Sequence, residues 1–386
     1  MSIGTIKFQE GFMKKIINQQ EMKRSNTADV FKLIRDCGTV TRRQIAASTN
    51  LSWGAVSGIT ARLLDCSYIT ECKASSPPGA GRTPSALEVN TAEHFAVGID
   101  VNATGLRSCL INLKNEVIDT LTKSVDFSDR DTLLDGIYSF IEETVDRANG
   151  HHVLCIGIAM QGKVDSENGI SIALPMCKSW QDVPLAYLIS KRFGIPTYIR
   201  HDPDCILYEH AMTTEITDSI LLRIDKGIGM AVMLDGKPID KPGMFEIGHL
   251  TVEPDGEPCG CGKRGCLCAY ASQSGIEKRS GRKISELSLA ASNKNGEEAR
   301  YFDDASRYLA LAITNTALLF NIYNVTLCGE MMLRKELFWD SFTSYIAKFA
   351  PDSSFNFSFA DVTGASLGAA MNAIEHTLDT FDVITE

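Results

Sequence analysis

The sequence predicts an α/β protein with a small helical head, residues 1–90, and a larger body of two lobes. The first observation is charge. The head holds 12 Lys+Arg against 7 Asp+Glu, a net +5, so the remainder must carry −15 to give the chain its −10. The second is a change from helical to strand-like periodicity near Phe95. The third is a strand pattern that occurs twice in the body.

Composition limits the class of protein further. With 386 residues, 44% of them hydrophobic, the chain can bury large cores and is expected to form two or three domains. It contains no apolar run of about 18 residues and no signal-peptide pattern. Its 12 cysteines lack the pattern of a secreted disulfide framework. We therefore expect a cytoplasmic protein without a membrane segment, whose basic head binds nucleic acid.

Helix start and stop signals predict two helices at the beginning of the head. Ser25 and Asn26 are expected to cap the first helix, which is predicted over residues 27–37. Thr41 and Gln44 have the spacing of a capping box, which predicts a short second helix that ends near residue 49.

A third helix, capped by Ser52, is predicted to contact DNA. Its first residues are small, which lets a helix lie deep in a major groove. Strand-like segments at 68–72 and 86–89 flank a Gly/Pro-rich tip, a pattern typical of a two-stranded wing. The head is thus predicted to be a winged helix-turn-helix that binds double-stranded operator DNA; the alternative, a small helical interaction module, does not explain the positive charge or the wing. The predicted DNA contacts are Arg42, Arg43, Ser52, Trp53, Gly54, Ala55, Ser57 and, at the wing tip, Arg82.

The repeated pattern of the body is a strand ending in aspartate, a hairpin and a third strand. The first strands are 95–100 and 220–225, and their hairpin partners are 106–112 and 228–234. This duplication predicts two βββαβα lobes with a cleft between them. The predicted domains are the DNA-binding head at 1–90 (with 1–24 as an N-terminal extension), lobe 1 at 91–200, and lobe 2 at 201–386, with the C-terminal helix either kept in lobe 2 or returned to lobe 1.

A Gly-rich loop in lobe 2 predicts a zinc site. His249 is followed by Cys259, Cys261 and Cys266, which together offer the four soft ligands of a closed tetrahedral site. Four protein ligands leave no open position for water, so the zinc is expected to be structural. Two alternatives stay open: Cys268 replaces one ligand, or the cysteines are structural and the histidine is unrelated to them.

Several motifs of the body resemble one family. They are 157–165, Trp180 with 182–185, 194–196 leading to His201 and Asp202, Glu246 to His249, the cysteine loop, and 364–370. On these motifs the chain is identified, over about residues 26–375, as a member of the ROK family (repressors, open reading frames and sugar kinases), with an actin/hexokinase-like, ribonuclease H-like fold. A fused winged helix occurs in the family's repressors and is usually absent from its kinases. The resemblance implies a sugar-responsive repressor of carbohydrate-utilisation genes.

The phosphate-binding motifs of the family's kinases are altered in this chain. Family kinases carry Asp-x-Gly-Gly-Thr-Lys, and the matching segment here, 100–105, lacks both glycines and the lysine. The motif on the adenosine side is reduced to 327–330, where Glu330 adds negative charge. Asp202 matches the family's catalytic base and would be catalytic only in a kinase. We therefore expect no enzyme activity.

The sugar pocket implied by the resemblance is partly retained. His201, Asp202, Glu246 and His249 match the family's sugar-binding positions, with His249 serving the metal and the ligand through its two ring nitrogens. Two departures remove polar contacts: Met176 stands where kinases have a sugar-binding Asn, and Cys268 stands where a Glu contacts the sugar. The pocket could also be vestigial, with Asp202 and Glu246 as structural carboxylates.

Three functions stay open at the level of sequence. The first is the sugar-responsive repressor, the second a ROK-type ATP-dependent sugar kinase, and the third a repressor controlled by a protein partner or by zinc. One winged helix covers a single half-site on DNA, so we expect a homodimer or a dimer of dimers.

Overall fold

The computed structural model describes residues 19–73, 85–239, 245–291 and 296–379. Within these residues no helix is long and apolar enough to span a lipid bilayer. The chain forms two compact units. The first contains the described residues up to Asn90 together with the segment 376–379, and the second contains Thr91–Glu375.

The N-terminal unit consists of three helices and a two-stranded antiparallel sheet. Its elements are α1 Gln19–Cys37, α2 Arg42–Thr49, α3 Trp53–Asp65, β1 Ile69–Lys73 and β2 Ser85–Val89. Phe31, Ile45, Val56 and Leu63 are fully buried at the centre of the helices. The ring of Tyr68 packs edge-on against Phe31, with 6.1 Å between the ring centroids, and links the helices to the start of β1.

The helix boundaries test the capping signals of the head. Helix α1 begins at Gln19, so the prediction that Ser25 and Asn26 cap the first helix is wrong. Thr27 lies inside α1, where its hydroxyl donates a hydrogen bond to the backbone one turn earlier, 2.8 Å away, a bond that lets such residues lie within a helix. The capping box that precedes α2 is confirmed, because both of its reciprocal hydrogen bonds, between Thr41 and Gln44, are present.

The second unit is built on two five-stranded sheets with the same strand order. The first sheet contains β3 His94–Asn102, β4 Gly105–Asn112, β5 Val117–Lys123, β6 His152–Met160 and β10 Thr197–His201. The second contains β11 Ser219–Ile224, β12 Ile228–Leu234, β13 Lys237–Pro238, β14 Asn324–Cys328 and β15 Asn356–Phe359. Their orders are β10-β6-β3-β4-β5 and β15-β14-β11-β12-β13. In each sheet two hairpins are followed by two parallel strands, so the predicted recurrence is present in the topology.

Helices and a small third sheet cover these two sheets. The sheet is antiparallel and contains β7 Lys163–Asp165, β8 Ile170–Leu174 and β9 Cys177–Val183. The helices are α4 Arg130–Asp146, α5 Leu185–Phe193, α6 Asp202–Thr214, α7 Leu267–Ala271, α8 Gln273–Ser280, α9 Ile284–Ala291, α10 Ala299–Phe320, α11 Trp339–Phe349 and α12 Gly364–Asp379, with 3-10 turns at Ile247–His249 and Glu330–Leu337. Each five-stranded sheet has its own hydrophobic core.

Helix α12 packs directly on the first sheet. A Cβ atom at Gly98 of β3 would overlap the carbonyl oxygen of Ser366, and one at Gly157 of β6 would overlap that of Ala369. The two strands therefore need glycine at these positions for the helix backbone to approach so closely. This contact places the C-terminal helix against lobe 1.

Candidate ligand cleft and metal centre

A cleft of about 740 Å³ lies in the second unit, with walls from both sheets and from the cysteine loop. All four residues predicted to bind a sugar line it: His201, Asp202, Glu246 and His249. Polar groups that converge on a cavity of this size are typical of a site for a small organic ligand.

Asp202 occupies the floor of the cleft because it is the first residue of α6, directly after β10. Only 2% of Asp202 is exposed. The guanidinium of Arg223 donates a hydrogen bond to its Oδ2 atom. The Nε2 atom of His201 lies 3.5 Å from its Oδ1 atom. Asp202 therefore lies at a helix N-terminus and is paired with a cation.

Sequence analysis did not identify Arg223. It lies in β11 and joins Asp202 to Asp225, because its Nε atom donates to the Asp225 Oδ2 atom at 2.6 Å while its other arm reaches Asp202. Burial alone would lower the pKa of the Arg223 guanidinium, but the charges of Asp202, Asp225 and Asp100 raise it above its usual range. The available signal was a single arginine within the apolar run of a predicted strand.

Asp100, in β3, is also close enough to Arg223 to feel its charge, but its carboxyl group has fewer stabilising contacts than that of Asp202. Burial, followed by the charge of Asp202, raises the pKa of Asp100 to about 7. Its Oδ2 atom accepts a hydrogen bond of 2.6 Å from the side-chain amide of Asn102. Its Oδ1 atom is buried and has no hydrogen-bond partner among the described residues. Asp100 is therefore a carboxyl group that is easily protonated near neutral pH.

A smaller cavity of about 190 Å³ is lined by Asp100, Asn102, Ala103 and Thr104, which belong to the segment predicted to correspond to the phosphate-binding motif of family kinases. Asp100, Asp225 and Glu330 all line it. The Asp225 Oδ1 atom accepts a hydrogen bond of 2.6 Å from the Glu330 amide, and the Thr104 amide donates to the Asn102 side chain at 2.8 Å. Two amides beside this cavity are thus engaged with side chains of the chain itself, and its walls carry both acidic and basic residues, because Arg107, Arg223 and Lys226 line it as well.

The four predicted metal ligands lie together. The ligand atoms of His249, Cys259, Cys261 and Cys266 are all within 4.8 Å of one another. The Cys261 and Cys266 sulfurs are 3.7 Å apart, as are the Cys259 sulfur and His249 Nδ1. Bonds of about 2.3 Å at a tetrahedral angle would place two sulfurs about 3.8 Å apart. The donor set and its spacing therefore fit a tetrahedral metal ion.

The thiols of the cluster differ in their electrostatics. Burial and the neighbouring thiols of Cys261 and Cys259 raise the pKa of Cys266 to about 12, whereas a hydrogen bond from the Lys263 amide lowers the pKa of Cys261. A bound divalent ion would stabilise the thiolate form of each ligand. The loop folds back through paired segments around Thr251 and Cys266, and Gly265 allows the turn because a Cβ atom there would overlap the backbone of Glu253.

The two departures from the family's sugar site have different surroundings. Cys268 lines the cleft, and burial raises the pKa of its thiol to about 12. It does not belong to the cluster found among the described residues. Met176 is partly buried and packs against the hydrophobic core of the first lobe.

The predicted DNA contacts lie on α2 and α3. Ser52 caps α3 by accepting a hydrogen bond from the Ala55 amide at 3.2 Å. Trp53 is 60% exposed. Arg43, Gly54 and the capping serine are also exposed, whereas Ala55 and Ser57 are half-buried. Arg82 lies outside the described residues.

Arg42 differs from its neighbour Arg43 in its contacts. Its guanidinium donates to Glu71 of β1 at 2.9 Å and to the hydroxyl of Thr60 at 3.1 Å. Thr60 lies in α3, is fully buried and accepts the hydrogen bond of this arginine. The side chain of Arg42 thus links α2, α3 and the two-stranded sheet.

Comparison with known proteins gives one family and one fold. The profile of the ROK family matches residues 96–374. The xylose repressor of Caldicellulosiruptor bescii is 29% identical, and the match covers 66% of each chain, so this chain spans just under two thirds of that relative's length. A crystal structure of a ROK family transcriptional regulator, a homologue of the Escherichia coli MLC protein, superposes with a TM-score of 0.82 at 23% identity, covering 95% of this chain and 100% of that chain. A ROK hexokinase from Thermus thermophilus gives a TM-score of 0.67 at 22% identity, over 74% of this chain and 99% of that chain. The second unit therefore has the α/β hexokinase-like fold.

Proposed function

The chain belongs to the ROK family, and from this membership we propose that it is a sugar-responsive transcriptional repressor of carbohydrate-utilisation genes. A relative named as a repressor and a similar structure described as a transcriptional regulator support the regulatory role. The N-terminal unit supports it too, because it precedes the ROK domain and carries an exposed helix start. Such a repressor acts in the cytoplasm, where its operators are.

In this proposal the N-terminal unit is a winged helix-turn-helix with α3 as the recognition helix. Ser52, Trp53, Gly54, Ala55 and Ser57 at the start of α3 contact base edges, and Arg43 contacts phosphate. Arg42 acts indirectly, since its ion pair with Glu71 fixes α2 against the wing. A second copy of the chain supplies the second half-site, so the active form is a homodimer or a dimer of dimers.

The ion pair of Asp202 with Arg223 is the observation that best supports a binding protein over a kinase. A general base must bring a carboxylate oxygen to the substrate hydroxyl, and here Oδ2 accepts a hydrogen bond from the Arg223 guanidinium while Oδ1 lies 3.5 Å from His201 Nε2. The same carboxylate still accepts hydrogen bonds. We therefore assign Asp202, together with His201, Glu246 and His249, to the recognition of sugar hydroxyls, with no catalytic role for Asp202.

The metal in this proposal is zinc. Cys259, Cys261, Cys266 and the Nδ1 atom of His249 hold it, which leaves Nε2 of the histidine for the ligand in the cleft. With four protein ligands, the zinc stabilises the loop and does no chemistry. A sugar changes DNA binding only if it binds one arrangement of the lobes more tightly than another. Because His249 serves both the metal and the sugar, both act on the segment that carries this residue.

The test combines three measurements on the purified full chain. DNA fragments that bind are selected from a random-sequence pool, and their affinity is measured with and without each member of a panel of sugars. Thermal shift reports binding of the same sugars, and ADP formation reports kinase activity. We expect a palindromic site, one sugar class that shifts both melting temperature and DNA affinity, and no ADP.

Two variants separate the functions of the two units. Ser57→Glu places negative charge in the DNA groove and should abolish DNA binding while the thermal shift by sugar remains. Asp202→Asn should abolish the sugar response and leave DNA binding. Sugar-dependent ADP formation would favour the kinase, and DNA binding without a response to any sugar would favour control by a protein partner.

A further inference from the structure

We propose that the chain has a second metal site, for a divalent transition-metal ion, between His94 and His152. The two imidazoles lie at the start of β3 and β6, and their Nδ1 atoms face each other at 3.3 Å. This pair is separate in the sequence and in the fold from the cysteine loop and from the residues of the cleft.

The backbone fixes the position of both histidines. His94 and His152 are direct partners in the parallel pairing of β3 with β6. The amide of His152 donates a hydrogen bond of 3.1 Å to the carbonyl oxygen of Glu93. The register shifts after Phe95, so a β-bulge follows the pair directly. Bulges re-aim side chains near the ends of strands and are common beside functional sites.

The distance between the nitrogens fits a shared ion. Two metal–nitrogen bonds of about 2.0–2.1 Å at a tetrahedral angle would place the nitrogens about 3.3–3.4 Å apart. The ring centroids are 5.5 Å apart and the ring planes are inclined by 72°, so the rings are not stacked. The separation of 3.3 Å is also that of a hydrogen bond between the two imidazoles, and the ion would take the place of the shared proton.

The two imidazole groups are ligands that favour a divalent transition-metal ion. Imidazole nitrogen is a good ligand for Zn²⁺, Ni²⁺ and Cu²⁺. His94 is 9% exposed while His152 is exposed, so one wall of the site is protein and the other is open to water. The ion would bind through two nitrogens and complete its coordination with water, hence more weakly than at the cysteine cluster.

The neighbouring residues supply a built-in control. His151 and Glu93 directly precede the two strands and are the neighbours of the pair in the sequence. The His151 Nδ1 atom lies 3.9 Å from the Glu93 carboxylate, and its ring packs edge-on against Phe95 at 5.7 Å. No third ligand joins the pair within the described part of the chain. His151 should therefore be dispensable for the metal.

The test is calorimetric titration of Ni²⁺ into the untagged full chain with its cysteine cluster filled with zinc. Released zinc is measured in the same samples, so that nickel exchanged into the cluster is recognised. We expect one additional equivalent of nickel without release of zinc. His152→Gln should weaken it by at least about tenfold, and His151→Gln should bind as the wild type does. His94→Gln is the second variant, with its melting temperature measured beside it.

Three results would overturn the proposal. One is no nickel uptake at millimolar concentration. Another is uptake matched by zinc release, which would assign the nickel to the cluster. The third is equal loss of binding in His151→Gln and His152→Gln, or unchanged binding in His152→Gln, which would move the nickel to other groups on the surface.

Discussion

The first hairpins of the two lobes, β3–β4 and β11–β12, share their place in the sheet but differ in their loops. In lobe 1 the pairing continues to Asn102 and Gly105, which leaves a closed two-residue turn. In lobe 2 the pairing stops at Ile224 and Ile228, so three residues form an open turn. A Cβ atom at Gly227 of that turn would meet no atom within 4 Å. The same hairpin topology therefore has a tight two-residue turn in lobe 1 and a wider three-residue turn in lobe 2.

The aspartates near the ends of the two first strands, Asp100 and Asp225, also differ in burial and in hydrogen bonding. Asp225 accepts hydrogen bonds from the Arg223 guanidinium and from the Glu330 amide. Asp100 is more deeply buried, and one of its oxygens has no partner among the described residues. The strands conserve the architecture while the loop residues decide what can bind, which is the usual division of work between scaffold and loops.

The metal cluster gives the largest expected difference between the lobes. Replacing Cys261 by Ser exchanges a thiolate for a poor zinc ligand, and zinc binding is also folding free energy. We expect loss of zinc and a decrease in the free energy of unfolding on the order of 5 kcal/mol. Hydrogen exchange should rise in β11 and β12 and stay low in β3 and β4, because only lobe 2 carries the cluster.

Cys268→Ser is the matched control for this change. The substitution is chemically identical, but Cys268 lies outside the cluster. Zinc content and exchange in lobe 2 should match the wild type. Wild-type protein purified without chelator that holds less than about half an equivalent of zinc would refute the site. Equal exchange in both lobes of Cys261→Ser would refute the asymmetry.

Arg223 of the second hairpin binds both Asp202 and Asp225, and its removal is the next largest effect. Arg223→Leu leaves Asp202 and Asp225 buried without their cation, a change that typically costs about 3–5 kcal/mol. Arg107→Leu is the control, since that arginine is only partly buried and should cost less than about 1 kcal/mol. Denaturant midpoints give both values. A double variant with Asp202→Asn should recover part of the loss, and its failure to do so would show that the charge pair is not the cause.

Substitution of the two aspartates should change stability in opposite directions. Asp100→Asn removes a buried charge that has few stabilising contacts. At pH 8 the free energy of unfolding of the variant should therefore exceed that of the wild type by up to about 4 kcal/mol. Asp225→Asn removes a carboxylate that accepts two hydrogen bonds and should cost about 1–3 kcal/mol. The same sign for both variants would mean that the two hairpins do not differ as described.

The pH dependence of stability follows from Asp100. Its pKa is about 7 in the folded chain, against about 3.9 in an unfolded one. Between these values the native state binds more protons, so stability falls as pH rises from about 4 to 7 and is constant above. Chemical unfolding at a series of pH values should show this decrease in the wild type and not in Asp100→Asn. An identical pH profile in the two proteins would contradict the assignment.

Much of this site could be predicted from the sequence because its signals are local. The cysteine loop needs only spacing and glycines, and the capping box of α2 lies within four residues. The two lobes of like topology were predicted from the recurrence of one strand pattern. These features depend on neighbours in the chain, which the sequence displays directly.

The missed features depend on contacts between distant segments. Arg223 is bound by Asp202, which is 21 residues away and belongs to another element, the helix α6. Thr60 is buried because Arg42 reaches it from another helix. The start of α1 was misplaced because a serine or an asparagine can lie inside a helix as well as cap it. No periodicity records such pairings.

The smallest expected effect concerns the glycines of the two turns. Gly105 has a φ of +130°, and a Cβ atom there would lie 2.5 Å from the Lys123 carbonyl oxygen, so Gly105→Ala should cost about 1–3 kcal/mol. Gly227 has open space and lies outside the left-handed region, so Gly227→Ala should be neutral or stabilising by up to about 1 kcal/mol. Urea midpoints of the two variants give the comparison directly. If Gly227→Ala is the more destabilising of the two, the loop of lobe 2 is not the open one.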